Sequence, residues 1–245
     1  MHLRIDKYLT DMGAGTRTEI KKAVRKGQVT VNGRVVSDPG LPYEGGIVFF
    51  KGTPFLYEPF AYYMLNKPSG VISATEDRRQ KTVLDLIDEP KRRDLFPVGR
   101  LDRDTEGLLL VTNDGDLAHR LLSPKKHVDK TYFARVRGLV AAEHRKAFAE
   151  GLSVDESFTA MPSEIQLLRT EENENQTELT ITIREGKYHQ IKRMFASIGM
   201  EVLYLKRLRM GPLVLDPSLP PGSYRRLTEE EIRQLKKANF EKGQD

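Results

Sequence analysis

The sequence predicts an α+β fold in two domains, with a mixed and mostly antiparallel sheet flanked by helices. Apolar–polar alternation with a period of two, typical of half-buried strands, recurs along the 245-residue chain. These strand segments outnumber the helical segments and are not regularly interleaved with them, unlike the elements of a parallel α/β fold. Capping boxes mark two of the helix starts.

The chain begins with two short helical segments. Residues 3–12 have a helical pattern that ends at Gly13, and Thr16 with Glu19 forms a capping box that opens a second helix. Apolar residues form the inner stripe of this second helix, and four basic residues form its outer stripe: Arg17, Lys21, Lys22 and Arg25. Such a stripe is most often a solvated face, but it also suits contacts to phosphate groups.

A hairpin and a further strand complete the first region. Asn32 and Gly33 form a two-residue turn within VTVNGRVV, and IVFF at residues 47–50 has a strand-like composition. Pro54 and Pro59 then indicate a linker. We therefore expect a first domain, a linker, a second domain and a frayed tail at residues 1–52, 53–60, 61–240 and 241–245, in that order.

The second region alternates strands and helices without a fixed order. AYYMLNKPSGVIS, from residue 61, indicates a strand, a turn and another strand. Thr82 with Asp85 indicates a short helix, and Thr228 with Glu231 forms a capping box on a C-terminal helix. Between them we predict three helices, DLAHRLLS, AAEHRKAFAEG and YHQIKRMFASIG, and the strands LLLV, TYFARVRG, SEIQLL, ELTITIREG and EVLYLKRLRMG.

The composition excludes several classes of site. The chain has no cysteine, which excludes disulfides, thiolate metal sites and a cysteine nucleophile, and its five histidines never fall at a metal-binding spacing. The N-terminus lacks the apolar core of a signal peptide, and no apolar run approaches a membrane span, so we expect a cytoplasmic protein without a membrane partner. A net charge of +5 fits a polyanionic partner such as nucleic acid.

Charged residues are concentrated in the stretch VGRLDRDTEGLLLVTNDG, which begins at Val98. Between Arg100 and Glu106 lie three acidic residues and two arginines, and the apolar run Leu108 to Val111 follows directly. The run is typical of a buried strand and the charges of an exposed loop at its start. Three explanations compete: a calcium loop, a pair of catalytic carboxylates, or a single catalytic carboxylate with structural neighbours.

The first two explanations fit the residues poorly. A calcium loop that starts at Asp102 needs a bidentate Glu at its twelfth position, where this chain has Asn113. Asp102 and Asp104 could flank a glycosidic bond, but a chain without tryptophan has no indole platform for sugars, and its surplus charge is positive. We therefore expect Asp104 to hydrogen-bond its own backbone in a turn, and Glu106 to have a turn-forming or electrostatic role.

The third explanation agrees with a family resemblance. GRLDRDTEGLLLVTNDG resembles the catalytic motif G-R-L-D-x-x-T-x-G-L-L of the pseudouridine synthases of the RsuA/RluA superfamily. YYMLNKPSGVIS, KTYFARV and EGKYHQIKRMF match further family segments in order and spacing, and RIDKYLTDMGAGTRTEIKKAVRKGQVTVNGRVV resembles the S4 RNA-binding domain. The architecture and the last motif are most similar to the RsuA branch.

The resemblance implies a reaction and a partner. The RsuA branch isomerises a uridine of small-subunit ribosomal RNA to pseudouridine, so we expect a monomeric enzyme acting on 16S RNA, without a cofactor or a metal. The uridine must leave its stack to reach the active site. Two alternatives remain open at this point, namely a synthase acting on 23S RNA and a non-catalytic S4-type RNA-binding or ribosome-assembly factor.

The resemblance also assigns roles to individual residues. Asp102 aligns with the essential aspartate, either as a nucleophile at the ribose C1′ or as a base that removes the C2′ proton. Arg100 aligns with the arginine inserted where the flipped base stood, and Tyr132 with the tyrosine that stacks on the uracil. Lys192 would pair with Asp102 and Ile191 would form an apolar wall. His189 is expected to be structural or an RNA contact, and the predicted phosphate-binding residues are Arg17, Lys21, Lys22, Arg25, Arg193, Lys206 and Arg207.

Overall fold

The computed structural model describes residues 3–55, 60–89, 94–156 and 158–238. The chain divides into two compact units, Met1–Ala61 with Ile87–Leu95, and Tyr62–Leu86 with Phe96–Asp245. The predicted tail at 241–245 lies outside the described residues. In the described ranges, no helix combines the length and the apolar character needed to cross a membrane.

The first unit consists of two helices and a four-stranded antiparallel sheet with the order β2-β1-β3-β4. The capping box predicted on α2 is present, because the Thr16 side chain accepts from the Glu19 amide and the Glu19 carboxylate accepts from the Thr16 amide. The core lies between the helices and the sheet. The elements are α1 (Ile5–Asp11), α2 (Arg17–Arg25), β1 (Val29–Val31), β2 (Arg34–Val35), β3 (Val48–Phe50) and β4 (Thr53–Phe55).

The hairpin between β1 and β2 has the predicted two-residue turn. Asn32 and Gly33 both have positive φ, 50° and 80°, as a turn that matches the strand twist requires. The predicted linker at 53–60 is wrong in its first three residues, because these form β4 and pair with β3. Pro54 misled the prediction, since proline is tolerated on an edge strand such as β4.

The second unit is built on one large sheet. The strands of this unit are β5 (Tyr62–Lys67), β6 (Phe96–Pro97), β7 (Glu106–Thr112), β8 (Lys130–Arg137), β9 (Ser153–Asp155), β10 (Phe158–Thr159), β11 (Glu164–Glu171), β12 (Gln176–Ile183), β13 (Glu201–Met210), β14 (Leu213–Val214) and β15 (Tyr224–Arg226). Its helices are α3 (Gly115–Leu122), α4 (Ala142–Glu150), α5 (Gln190–Ser197) and α6 (Glu229–Lys237). The Thr228–Glu231 capping box opens α6 as predicted.

Sheet topology confirms the predicted α+β class. Nine strands form one sheet with the path β11-β12-β8-β13-β7-β5-β15, to which β14 and β6 add as side pairs, and β9 pairs with β10 separately. The β13–β7 pair is parallel, whereas the other pairs between strands of this sheet, among the described residues, are antiparallel. A second strand after the turn in AYYMLNKPSGVIS was wrongly predicted, because Ile72 forms only an isolated bridge with Thr82.

Strand β7 is the rigid base of the charged loop. Leu108 to Val111 are at most 1% exposed and pair with β5 on one side, which confirms that the apolar run is a buried strand. On the other side, the first residues of β7 pair with the middle of β13. The loop before β7 is therefore anchored at the centre of the sheet, where neighbouring strands restrict its movement.

Candidate active site

The loop from Arg100 to Thr105 is fixed by hydrogen bonds from the segment after β5. Ser73 binds Leu101 twice, since its Oγ donates to the Leu101 carbonyl at 2.9 Å and accepts from the Leu101 amide at 3.0 Å. Within the loop, the Thr105 amide donates to the Asp102 carbonyl at 3.1 Å. Because Leu101 precedes Asp102, these bonds hold the backbone on both sides of the carboxylate.

The buried side chain of Lys67 also holds this loop through hydrogen bonds to its backbone. Its side chain is fully buried at the end of β5, and its Nζ donates to the carbonyl oxygens of Pro68, Arg103 and Thr105 at 3.0, 3.2 and 2.8 Å. Burial lowers the pKa of Lys67 to about 8, although nearby carboxylates, with Asp104 first, raise it. This lysine lies in the segment AYYMLNKPSGVIS, for which the sequence predicted only strands and a turn, and its burial at the end of β5 could not be predicted from that pattern.

Replacing Lys67 with Met should lower the free energy of unfolding by about 2 kcal/mol or more at pH 7, because three hydrogen bonds from its ammonium group, partly or fully buried, are lost. Urea unfolding followed by circular dichroism measures this difference. A variant as stable as the wild type would show that the clamp contributes nothing.

The same lysine should make stability depend on pH. Its folded-state pKa of about 8 lies below the 10.5 of an exposed lysine, so the unfolded chain binds more protons between these values. The free energy of unfolding of the wild type should therefore rise relative to the Met variant as the pH goes from 8 to 10. Comparing the two proteins cancels every other titrating group, and a constant difference across this range would contradict the prediction.

One pocket brings the five residues of the predicted site together. Arg100 and Asp102 from the loop, Tyr132 from β8, and Ile191 and Lys192 from α5 all line it. The Tyr132 and Ile191 side chains are 7% and 3% exposed, which makes two of the pocket walls apolar. The pocket is therefore a slot with an aromatic ring, an aliphatic wall and a single carboxylate at its mouth.

Two cationic or potentially cationic groups flank the Asp102 carboxylate. Lys192 Nζ lies 3.6 Å from its Oδ2, and His189 Nε2 lies 3.6 Å from its Oδ1. Lys192 contacts Asp104 more closely, at 2.6 and 2.8 Å. Asp104 is therefore an ion-pair partner of Lys192, a contact that the predicted turn role did not include.

The ion pair with Lys192 also changes Asp104 itself. Burial alone would raise the pKa of Asp104, but the hydrogen bond and the charge of Lys192 outweigh it, so the pKa is lower than usual. The neighbouring Glu106 accepts a hydrogen bond from Tyr204 Oη at 2.8 Å and starts β7. The acidic residues of the loop thus have different partners, and Asp102 is the one that faces the pocket.

The start of α5 is shaped by Gln190. This buried side chain accepts from the Lys187 amide at 3.0 Å and donates to Glu185 at 2.8 Å, which closes the loop before the helix. His189 has a left-handed backbone with φ of 48°, and this conformation directs its ring toward Asp102. Sequence reasoning noticed His189 but could not place it beside the carboxylate, because the direction depends on this turn.

The predicted phosphate-binding residues fall into three groups. Arg207 was wrongly included, because it is 2% exposed and its Nε donates to the Leu108 carbonyl at 2.7 Å inside the sheet. Arg193 pairs with Asp155 and lies over the Phe158 ring. Lys206 is half-buried, and in the first unit the stripe on α2 is exposed along its length: Arg17, Lys21, Lys22 and Arg25.

Possible metal ligands do not cluster in the part of the chain that the structure describes. No group of three or more His, Asp or Glu side chains there has an arrangement that could hold a metal ion. The acidic loop leads into β7 rather than into a helix, so its backbone differs from that of a calcium-binding helix–loop–helix.

Two family models match the chain. The model described as RNA pseudouridylate synthase matches residues 61–197, and the S4 domain model matches residues 3–46. The matched ranges fall in both units and include the loop, Tyr132 and the start of α5.

Named relatives match nearly the full length. An uncharacterized RNA pseudouridine synthase of Bacillus subtilis is 47% identical over 236 residues, covering 95% of this chain and 98% of that protein. Ribosomal small subunit pseudouridine synthase A of Vibrio parahaemolyticus is 40% identical over 232 residues, covering 94% and 98%. The Escherichia coli protein of the same name is 38% identical over 235 residues, again covering 94% and 98%.

A solved structure has the same fold. The crystal structure of a pseudouridylate synthase superposes with a TM-score of 0.67 at 36% identity, covering 95% of this chain and 99% of the other.

Proposed function

The chain belongs to the RNA pseudouridylate synthase family, and from this premise we propose that it converts a uridine of 16S ribosomal RNA to pseudouridine. Relatives that match it over nearly their full length are named for the ribosomal small subunit, which supports this substrate. The observation that carries the chemistry is the single carboxylate, Asp102, at the mouth of a pocket with an aromatic and an aliphatic wall.

Asp102 supplies the chemistry that the isomerisation needs. As a nucleophile, its carboxylate attacks the ribose C1′ and the C1′–N1 bond breaks, which leaves the uracil as an anion. As a base, it removes the C2′ proton while the same bond breaks. In both routes the uracil then rotates and C5 bonds to C1′. In the first route the Asp102–C1′ ester bond breaks as C5 bonds, and in the second the proton held by Asp102 returns to C2′. The C5 proton is then lost and N1 gains a proton. No atom is added or removed overall.

The pocket walls hold the uracil while it rotates. Tyr132 presents a buried aromatic ring for stacking, and Ile191 presents an aliphatic surface that permits rotation without strong directional bonds. A phenol is a poor base at neutral pH, so stacking is the role that we propose for Tyr132. Arg100, exposed at the pocket rim two residues before Asp102, is placed to fill the gap left by the flipped base.

Lys192 orients the carboxylate through charge. Its Nζ lies between Asp102 and Asp104, so it can stabilise the ionised Asp102 in a pocket that excludes water once the uracil is bound. Lysine lacks the planar fork of arginine, which makes its contact with the two carboxylates adjustable.

Replacing Lys192 with Met should reduce the rate of pseudouridine formation by about 10- to 100-fold, because Asp102 loses its nearest ammonium group. Replacing it with Arg should keep the rate within about tenfold, since a guanidinium can reach both carboxylates. Single-turnover rates at saturating enzyme measure both effects. Equal rates for the Met variant and the wild type would contradict the proposed role.

Phosphate contacts outside the pocket hold the folded RNA. We propose that the exposed stripe on α2 and the cations near the pocket bind the RNA backbone, since phosphate contacts position a nucleic acid without reading its sequence. These residues are Arg17, Lys21, Lys22, Arg25, Arg193 and Lys206. We also propose that the enzyme acts as a monomer, because one chain supplies the residues that line the pocket. We propose that it acts in the cytoplasm, because its bacterial relatives are named for the small subunit of the ribosome, which lies there.

The substrate is tested by mapping pseudouridine in unmodified 16S and 23S transcripts and in partially assembled subunits after incubation with the enzyme. A single modified uridine in 16S RNA is the expected result. Product in 23S RNA alone would overturn the substrate assignment, and no product in any RNA would overturn the proposed function. Light scattering of the same preparation checks the monomer.

A further inference from the structure

A second cleft lies beside the pocket and shares its catalytic loop. Its volume is about 710 Å³, and it is lined by residues 72–74, 100–103 and 186–189 together with Gln80. Arg100 and Asp102 line both the cleft and the pocket. A nucleotide chain that places one base in the pocket must therefore continue along or past this cleft.

The most exposed large hydrophobic side chain of the described residues lies in this cleft. Tyr188 is 73% exposed, and its ring stacks on that of His189 with a centroid distance of 3.8 Å and an interplanar angle of 18°. His189 in turn lies beside the Asp102 carboxylate. The two rings form a stack that extends outward from the reactive carboxylate toward solvent.

The stack is held by the backbone around it. His189 has a left-handed conformation that costs free energy for a residue other than glycine, and the Gln190 hydrogen bond to the Lys187 amide fixes the turn. Lys187 is anchored as well, because its Nζ lies 3.8 Å from the centre of the Phe158 ring. The turn therefore restrains the backbone that carries the exposed tyrosine, whose ring lies on that of His189.

The charge of the cleft fits a nucleotide. Three cations line it, Arg100, Arg103 and Lys187, and Asp102 is the acidic residue among the lining side chains. Aromatic rings next to cations are the combination that binds single-stranded RNA, since bases stack on the rings while the cations contact phosphates.

We propose that the Tyr188–His189 stack is a platform for the nucleobase adjacent to the target uridine in the RNA chain. The inference rests on the proposed function, because it requires an RNA with one uridine in the pocket. The ligand is an unpaired purine or pyrimidine, stacked on the Tyr188 ring, with its phosphate near Arg100, Arg103 or Lys187. Every base has a flat face, so the platform favours an unstacked neighbour without selecting its identity.

The test compares Tyr188→Ala and Tyr188→Phe on a 16S fragment that contains the uridine modified by the wild type. Two further RNAs lack the base directly 5′ or directly 3′ of that uridine. On the intact RNA, the Ala variant should bind about 5- to 30-fold more weakly than the wild type, and the Phe variant should match the wild type. On one of the two abasic RNAs, the affinity of the wild type should fall to that of the Ala variant for intact RNA. The affinity of the Ala variant should not fall further on that abasic RNA.

Two results would overturn the platform while the wild type remains active. One is an Ala variant that binds intact RNA with the affinity of the wild type. The other is an Ala variant that binds both abasic RNAs more weakly than the wild type does, by the same factor as on intact RNA. Leu168→Ala is the matched control, because Leu168 is another exposed apolar side chain, 52% exposed on β11, and should have no effect. A wild type that forms no pseudouridine would instead overturn the proposed function, and this inference with it.

Discussion

Replacing Asp102 with Asn abolishes pseudouridine formation, with a fall in rate of at least about a thousandfold, while RNA affinity is kept or increased. The amide has the shape of the carboxylate but can neither attack C1′ nor accept the C2′ proton. Removing a negative charge beside the RNA does not weaken phosphate contacts. Single-turnover assays of pseudouridine in the 16S transcript measure the rate, and filter binding measures the affinity.

The loop provides its own matched control. Asp104→Asn makes the same change of charge two residues away, and it breaks an ion pair in which the Asp104 side chain is 67% exposed. Exposed ion pairs contribute little, so this variant should lose no more than about fivefold in rate. Full activity of Asp102→Asn, or equal losses in the two variants, would refute the assignment of Asp102 as the catalytic residue.

Much of the fold could be predicted from local patterns. The capping boxes at Thr16 and Thr228 and the Asn32-Gly33 turn are determined by residues close in sequence, and each is present in the structure. The strand at 53–55 was missed because its pairing with β3 depends on tertiary context, which outweighed the signal of Pro54.

The sequence predicted five residues that share one pocket, but not the residues that support the loop. The motif around Asp102 pointed to the loop, and the structure brings the aligned residues to one pocket. Whether a basic side chain on a strand points into the protein depends on the register of that strand in the sheet. The sequence did not predict this orientation for two basic residues. Lys67 is buried and clamps the loop, and Arg207 is buried on β13, where shifts of register interrupt the alternation of faces. Sequence alone could not distinguish these two from solvated cations.

The contact between Lys192 and Asp104 shows that ion-pair partners were equally hard to predict from the sequence. Sequence spacing placed Asp102 and Asp104 in one loop and Lys192 on a distant helix, with no indication of which carboxylate would be nearer. The distances give Asp104 the shorter contact. A lysine shared by two carboxylates can move toward Asp102 as the uracil enters, because its flexible stem allows both contacts.

Replacing Gly107 with Ala should destabilise the protein by about 3 to 5 kcal/mol and remove most of its activity. Gly107 has φ of 97°, which favours glycine, and an added Cβ would lie 2.3 Å from the Arg207 carbonyl oxygen and 2.8 Å from the Arg207 amide nitrogen. Backbone atoms cannot rotate away as a side chain can. The methyl group must therefore push β7 away from β13 where they pair in parallel, directly after the loop that holds Asp102.

A second glycine substitution shows whether the effect of Gly107→Ala comes from the clash with Arg207 or from replacing any glycine in this domain. Gly115→Ala is the control, because an added Cβ at Gly115 meets nothing within 4 Å at the start of α3. We expect Gly115→Ala to unfold in urea like the wild type, whereas Gly107→Ala unfolds at clearly lower concentration and forms pseudouridine slowly. If Gly107→Ala were as stable and active as the wild type, β7 and β13 could separate without moving Asp102, and the sheet would not be the rigid base of the loop.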